Sequence, residues 1–310
     1  MTTVFFTSLP HRSVLKLSGA DRVRFLQGLV TADIASLTAG AAAWATCLTP
    51  QGRWQYDFFV IVHPHEPCLL LECAAIQAED LRNFLYRFRL RANVDIEPSS
   101  LSVHVAWNRT TWENSTPLCQ EEQIPPVLTA YCTDENTLYV PDPRLKEAGW
   151  RLINAPSALL SKISLTSFSE YEEHRLTLGL TDGVQDCEQG RTLAAEANMD
   201  LLNGISFTKG CYMGQEITAR LHYRHLLKQR LIPVMGTADL PPTNTPIFCH
   251  GVEVGRLRST SKQRGLAFLK LEALDHPLTC DNQILTAHPP AWMKNALPPQ
   301  FIASFHVFDR

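Results

Sequence analysis

The sequence predicts an α+β protein closed by a small all-β domain, and three observations carry that reading. Its 310 residues, 45% apolar and 19% charged, suffice for two or three domains with proper cores. Over the first third, hydrophobic patterns succeed one another as helix, strand, strand, helix, strand, which suits a mixed layer better than a strictly alternating parallel sheet. From Gln229 onward, short apolar stretches are separated by Pro and Gly, as in a small barrel or sandwich.

Taken in order, Asp21 opens an amphipathic helix on which Phe25, Leu26, Leu29, Val30, Ile34 and Leu37 recur at three- and four-residue intervals. The Pro50-Gln51-Gly52 turn leads into a strand over 55–62, and a second apolar stretch covers 68–71. A helix follows with Ile76, Leu81, Phe84, Leu85 and Phe88 on its inner face, and alternation returns over 101–107. Residues 108–136, rich in Pro, Thr, Asn and Glu, read as a connection. Strands at 138–140 and 150–154 precede a helix over 170–178, for which Ser169 and Glu172 form a capping box and Gly179 the stop. Apolar stretches at 231–235, 247–249, 266–269 and 301–308 make up the all-β end. These shifts divide the chain into 1–107, 108–226 and 227–310.

A net charge of -3 gives no general pull toward nucleic acid or anionic membrane. No apolar stretch approaches the ~18 residues that span a bilayer, and the start lacks the features of a signal peptide. The expectation is a soluble, cytoplasmic protein. The nine cysteines are odd in number and include no C-x-x-C pair, so reduced thiols and no resident metal centre are expected.

The densest polar information lies in Lys209-Gly210-Cys211-Tyr212-Met213-Gly214-Gln215-Glu216. Two glycines allow tight turns and close approach of a ligand, and a cation two residues before Cys211 would favour a thiolate. Cys211 is therefore the candidate functional thiol; the plainer alternative is a buried cysteine in a glycine-rich turn. Gln215 and Glu216 open a helical turn that runs through Arg220. Between Lys209 and Arg230 stand five Lys or Arg against one Glu, and Arg82, Arg87, Arg89 and Arg91 form a second basic cluster. Each reads either as a solvated face or as a funnel for a polyanion. His222 and His225 lack a third metal ligand. Glu196, set among small residues, has the chemistry to accept paired N–H bonds from a flat heterocycle, or is an ordinary surface residue.

Lys209–Glu216 resembles the K-G-C-[FY]-x-G-Q-E signature of the YgfZ family of folate-binding proteins, relatives of the glycine-cleavage T-protein that assist iron–sulfur cluster maturation. Residues 27–33 are similar to the family's Q-G-x-x-T-N-D segment, 48–53 with Asp57 to its L-x-P-Q-G-R turn and strand, and 86–91 to its basic Y-x-x-R stretch. Ala195-Glu196-Ala197-Asn198 falls where the family carries P-x-E-x-N. The resemblance implies two interwoven ferredoxin-like domains of the folate-binding aminomethyltransferase type and a C-terminal β-barrel, with the first two parts exchanging segments. It implies tetrahydrofolate as cofactor, gripped by Glu196, with Asn198, Arg220, Thr31 and Asp33 beside it, and a function that depends on Cys211. Ala32 departs from the family's Asn, Ala195 from its Pro, and Leu180-Thr181 from its Ile-Pro.

The function so implied is a tetrahydrofolate-binding accessory factor for assembly or repair of iron–sulfur enzymes, tRNA-modifying ones included, with iron–sulfur assembly factors or the client enzymes as partners. Such a factor is more an assembly protein than a catalyst, and a monomer is expected. The enzyme alternative is a folate-dependent aminomethyltransferase or demethylase using Asp80, which reads equally as a first-turn helix residue. Direct RNA binding is not expected, since no RNA-recognition motif accompanies the basic clusters.

Overall fold

The computed structural model describes residues 4–108, 137–155, 166–224 and 226–298. The connection expected beyond Asn108 and the stretch 301–308 lie outside them. The chain divides into two compact units, each assembled from separated stretches. Met1–Thr49, Gln55–Tyr171 and Asn203–Met213 form the first; Pro50–Trp54, Glu172–Leu202 and Gly214–Arg310 form the second.

In the first unit the strands are β1 (Val4–Ser8), β2 (Arg12–Ser18), β3 (Ala42–Leu48), β4 (Trp54–Val62), β5 (Leu69–Ala74), β6 (Asp95–Ser99), β7 (Val103–Asn108), β8 (Leu138–Pro141) and β9 (Trp150–Ile153). They build a five-stranded sheet, β3-β4-β5-β2-β6, and a four-stranded sheet, β1-β7-β9-β8. Helices α1 (Arg22–Gln27) and α2 (Ala78–Arg87) complete the unit. Leu69, Leu71 and Cys73 of β5 join Leu26, Leu81, Phe84 and Leu85 in one core, while Cys68 and Leu70 join Val103, Val105 and Ile153 of the other sheet in a second. A strand buried on both faces need not alternate, which is why 68–71 reads as an unbroken apolar run, and the one charge in β5, Glu72, is buried as well.

Three expectations need correcting here. The first helix ends at Gln27 rather than running to Leu37; Val30 instead bridges to Cys47, and Thr31 N–H donates to Thr46 O at 3.1 Å. Ile76 lies in a 3-10 turn before α2 and is 82% exposed, and Phe88 is also exposed. The capping box of α3 (Phe168–Leu178) is made by Ser167 and Glu170: Ser167 N–H donates to Glu170 Oε2 at 3.0 Å and Glu170 N–H to Ser167 Oγ at 3.3 Å. Glu172 pairs with Arg175 at 2.5 Å.

The second unit holds α4 (Gly183–Asp186), α5 (Gln215–Arg224) and a closed barrel. Its strands are β10 (Gln229–Gly236), β11 (Pro246–Cys249), β12 (Val252–Ser261), β13 (Arg264–Lys270), β14 (Leu278–Cys280) and β15 (Gln283–Ala287), in the order β10-β13-β12-β11-β14-β15. Closure leaves no free edge. Ile232, Val234, Leu257, Leu269 and Leu285 fill the interior with Met293 against them. Asp186 ties this barrel to α3, accepting from Arg175 Nη1 at 2.8 Å and Ser259 Oγ at 2.5 Å. Burial pushes its carboxyl above the ordinary range despite Arg175. No helix among the described residues is long and apolar enough to cross a membrane.

Candidate functional site

The eight-residue motif straddles the two units: Lys209 to Met213 belong to the first, and Gly214, Gln215 and Glu216 to the second. In the first unit Lys209 is buried, and its Nζ donates to Gln27 O at 2.6 Å, Val30 O at 2.7 Å and Ala32 O at 2.7 Å. The Tyr212 ring lies 5.2 Å from the same ammonium. Burial lowers the Lys209 ammonium to about 8, against the Asp33 carboxylate, which acts to raise it.

The turn that Lys209 grasps is held from other directions too. Thr31 Oγ1 donates to Gly204 O at 2.6 Å and accepts from Thr46 N–H at 3.1 Å, and Ser206 N–H donates to Thr31 O at 2.9 Å. Gln27 Nε2 donates to Asp33 Oδ1 at 2.8 Å while its Oε1 accepts from Ile34 N–H at 2.7 Å. The buried Thr31 hydroxyl is thus engaged by the chain's own backbone rather than offered to a cofactor. Ala32 contributes its backbone carbonyl, so the absent Asn side chain leaves this contact intact.

Cys211 and Gly210 are exposed, and nothing lies within 4 Å of where a Cβ on Gly210 would sit. Tyr212 is buried, its hydroxyl pushed up to about 12 by burial. Gly214 takes φ +81, which favours glycine, and starts α5, accepting from Thr218 Oγ1 at 3.0 Å. Glu216 and Arg220 are exposed on α5. Arg230, by contrast, is buried and bidentate to Asp200 at 2.9 and 2.8 Å. With Lys209 and Arg230 internal, the first basic cluster reduces at the surface to Arg220, Arg224 and Lys228. Asp80 is an exposed residue in the first turn of α2.

Glu196 lies in the second unit, where it lines a cavity of about 480 Å³ together with Arg53, Gln229, Phe268 and Lys270. Its Oε2 accepts from Leu193 N–H at 3.1 Å and its Oε1 from Gln229 Nε2 at 3.0 Å. Arg53, the last residue of the Pro50-Gln51-Gly52-Arg53 turn, reaches this cavity because it bridges to Leu193. No spacing in the sequence brings this turn to the cavity that Glu196 lines, since the Arg53–Leu193 pairing joins residues far apart in the chain. Asn198 is fully buried at φ +61, donating from Nδ2 to Leu231 O at 2.6 Å and accepting from Arg230 Nη1 at 3.2 Å. Like Thr31, it holds the fold. Among the described residues no group of three or more His, Cys, Asp or Glu is arranged to hold a metal.

A family model for the CAF17 C-terminal beta-barrel domain matches residues 228–295, which contain the barrel strands. The mitochondrial iron-sulfur cluster assembly factor IBA57 of Mus musculus is 31% identical over 93% of this chain and 85% of its own length. Its Homo sapiens counterpart is 32% identical over 87% of this chain and 78% of its own. Among solved structures, the glycine cleavage system aminomethyltransferase T from Bartonella henselae aligns with a TM-score of 0.75, over 94% of this chain and 86% of that one, at 12% identity. That likeness shows an aminomethyltransferase-like α+β fold ending in a six-stranded barrel.

Proposed function

Given that the chain belongs to the IBA57/CAF17/YgfZ family of iron–sulfur cluster assembly factors, we propose that it acts through the thiol of Cys211 and holds tetrahydrofolate against Glu196. The observation that carries the first half is exposure. Among the described cysteines Cys211 is exposed, Cys187 is half-buried, and Cys47, Cys68, Cys73, Cys249 and Cys280 are buried. Burial pushes the Cys73 thiol up to about 12 and the Cys280 thiol to about 11, which keeps both protonated and inert. Cys211 alone of these meets solvent freely, beside a glycine with open space around it. Its partners are then proteins of the assembly machinery or their client enzymes.

For the folate, the residues fit at Glu196. Each of its carboxylate oxygens has one protein donor and retains a lone pair for a ring N–H. Phe268 offers an apolar wall, and Arg53 and Lys270 offer positive charge to a carboxylated tail. Tetrahydrofolate, when bound, supplies ring and side-chain nitrogens that take up a one-carbon unit. Glu196 orients the ligand, and Gln229 holds the carboxylate in place. Asp80 stands exposed in the first turn of α2 and is not among the residues that line the Glu196 cavity, so the aminomethyltransferase alternative draws no support from its position.

Calorimetry with tetrahydrofolate tests the second half: wild type binds and Glu196→Ala loses most of the affinity. Equal binding by both proteins removes Glu196 from the site. Complementation of an iron–sulfur enzyme defect tests the first half, since Cys211→Ser should fold normally yet fail to complement.

A further inference from the structure

Lys209 stands two residues before Cys211, where a cation invites a role in activating the thiol. The geometry assigns it different work. An ammonium has three donors, and Lys209 directs them to the carbonyls of Gln27, Val30 and Ala32 at 2.6, 2.7 and 2.7 Å. No donor remains for a thiolate. The acceptors are backbone carbonyls of the last residue of α1 and of the turn that follows it, 182, 179 and 177 positions earlier in the chain.

The same turn is pinned to the Cys211 segment by two further bonds, Thr31 Oγ1 to Gly204 O and Ser206 N–H to Thr31 O. Lys209 N–H in turn donates to Ser206 Oγ at 3.2 Å. We infer that Lys209 is a positioning residue whose ammonium fastens the Cys211 segment to the 27–32 turn, so that the two sequence motifs are halves of one clasp. Gln27 stiffens the receiving half by holding Asp33, Ile34 and Ala35. The inference rests on the reading of Cys211 as the functional thiol, but its test does not use iron–sulfur chemistry.

The test compares wild type with Lys209→Met and Lys209→Arg in two measurements. The first is hydrogen exchange at the amides of Ser206, Lys209 and Ile34. The second is the pH dependence of Cys211 alkylation by iodoacetamide. Lys209→Met should speed exchange at all three amides by roughly tenfold or more without changing the pH dependence of alkylation. Lys209→Arg, which keeps the charge but cannot converge three donors on three carbonyls, should speed exchange at the same amides by a smaller factor. If Lys209→Met fails to fold, the Arg variant decides alone: unchanged protection there overturns the inference. A pH dependence that moves toward higher pH in Lys209→Met with exchange unaltered also overturns it, and returns Lys209 to thiol activation. Loss of Cys211 function in complementation has no bearing on either measurement.

Discussion

Replacing Glu72 by Gln removes one negative charge from a buried ion cluster of the first unit. Glu72 is fully buried, and its Oε1 accepts from Arg12 Nε at 2.9 Å and from Arg151 Nη1 at 2.6 Å. Arg151 stacks 3.7 Å from the centroid of the Phe59 ring and reaches Asp142 at 3.4 Å, while Asp142 pairs with Arg144 at 2.8 Å. Burial alone would raise the Asp142 carboxyl, yet Arg144 and Arg151 hold it below its ordinary range. Three guanidiniums therefore share two carboxylates, and Gln at 72 leaves them with one. Breaking a buried pair by removing one partner costs about 3–5 kcal/mol. The retained amide acceptor and the 7% exposed Arg12 side chain place Glu72→Gln at the lower end, about 3 kcal/mol. With a urea slope of about 2 kcal/mol per molar, the midpoint should fall by about 1.5 M. Tryptophan fluorescence is a suitable signal, because Trp44 lies 5.5 Å from the Arg144 guanidinium. A loss below about 1 kcal/mol would refute the reasoning, since it would mean that desolvation of Glu72 cancels both of its pairs. Replacing Glu72 and Arg151 together by Met should cost less than the two single changes summed.

Two further outcomes are expected. His104 is buried, stacked 5.3 Å from Phe6, and burial lowers it below its ordinary 6.5. The unfolded chain therefore takes up a proton first, so stability present above pH 6.5 declines as pH falls through that value toward the folded one. The melting temperature should drop between pH 7.5 and 5.5, and by less in His104→Leu; an equal drop in both proteins would absolve His104. Gly210→Ala should leave the melting temperature unchanged, because its Cβ meets open space, yet weaken complementation if a partner approaches the backbone beside Cys211. A clear loss of stability would show that the fold itself requires this glycine.

Much of the architecture was legible because it is written in local pattern. Both the all-β end and the helix carrying Leu81, Phe84 and Leu85 follow from spacing alone. The first helix was overdrawn because 25, 26, 29, 30, 34 and 37 also suit a turn whose apolar side chains enter the same core. What ends α1 early is long-range: carbonyls that an extended helix would use accept instead from Lys209. The capping box slipped by two residues because Ser167-x-x-Glu170 and Ser169-x-x-Glu172 are equal as patterns, and only the ion pair of Glu172 with Arg175 separates them. The site divides in the same way. Cys211 and Glu196 stood out by composition, whereas Thr31, Asn198 and Arg230 carry polar groups whose internal partners no spacing rule reveals.

The interleaving of the units has a consequence for synthesis. The first unit receives its final stretch, Asn203–Met213, from beyond the start of the second. A ribosome delivers the chain from its amino end at about 5–20 residues per second, so the sheets of that unit emerge well before Lys209. Until then the carbonyls of Gln27, Val30 and Ala32 await their ammonium, and Met213 has not reached the core it packs against. Cys211 is thus among the last residues of the first unit to arrive. The segment that brings it is the one that completes the first unit, whereas Gly214–Arg310 of the second is still to be made.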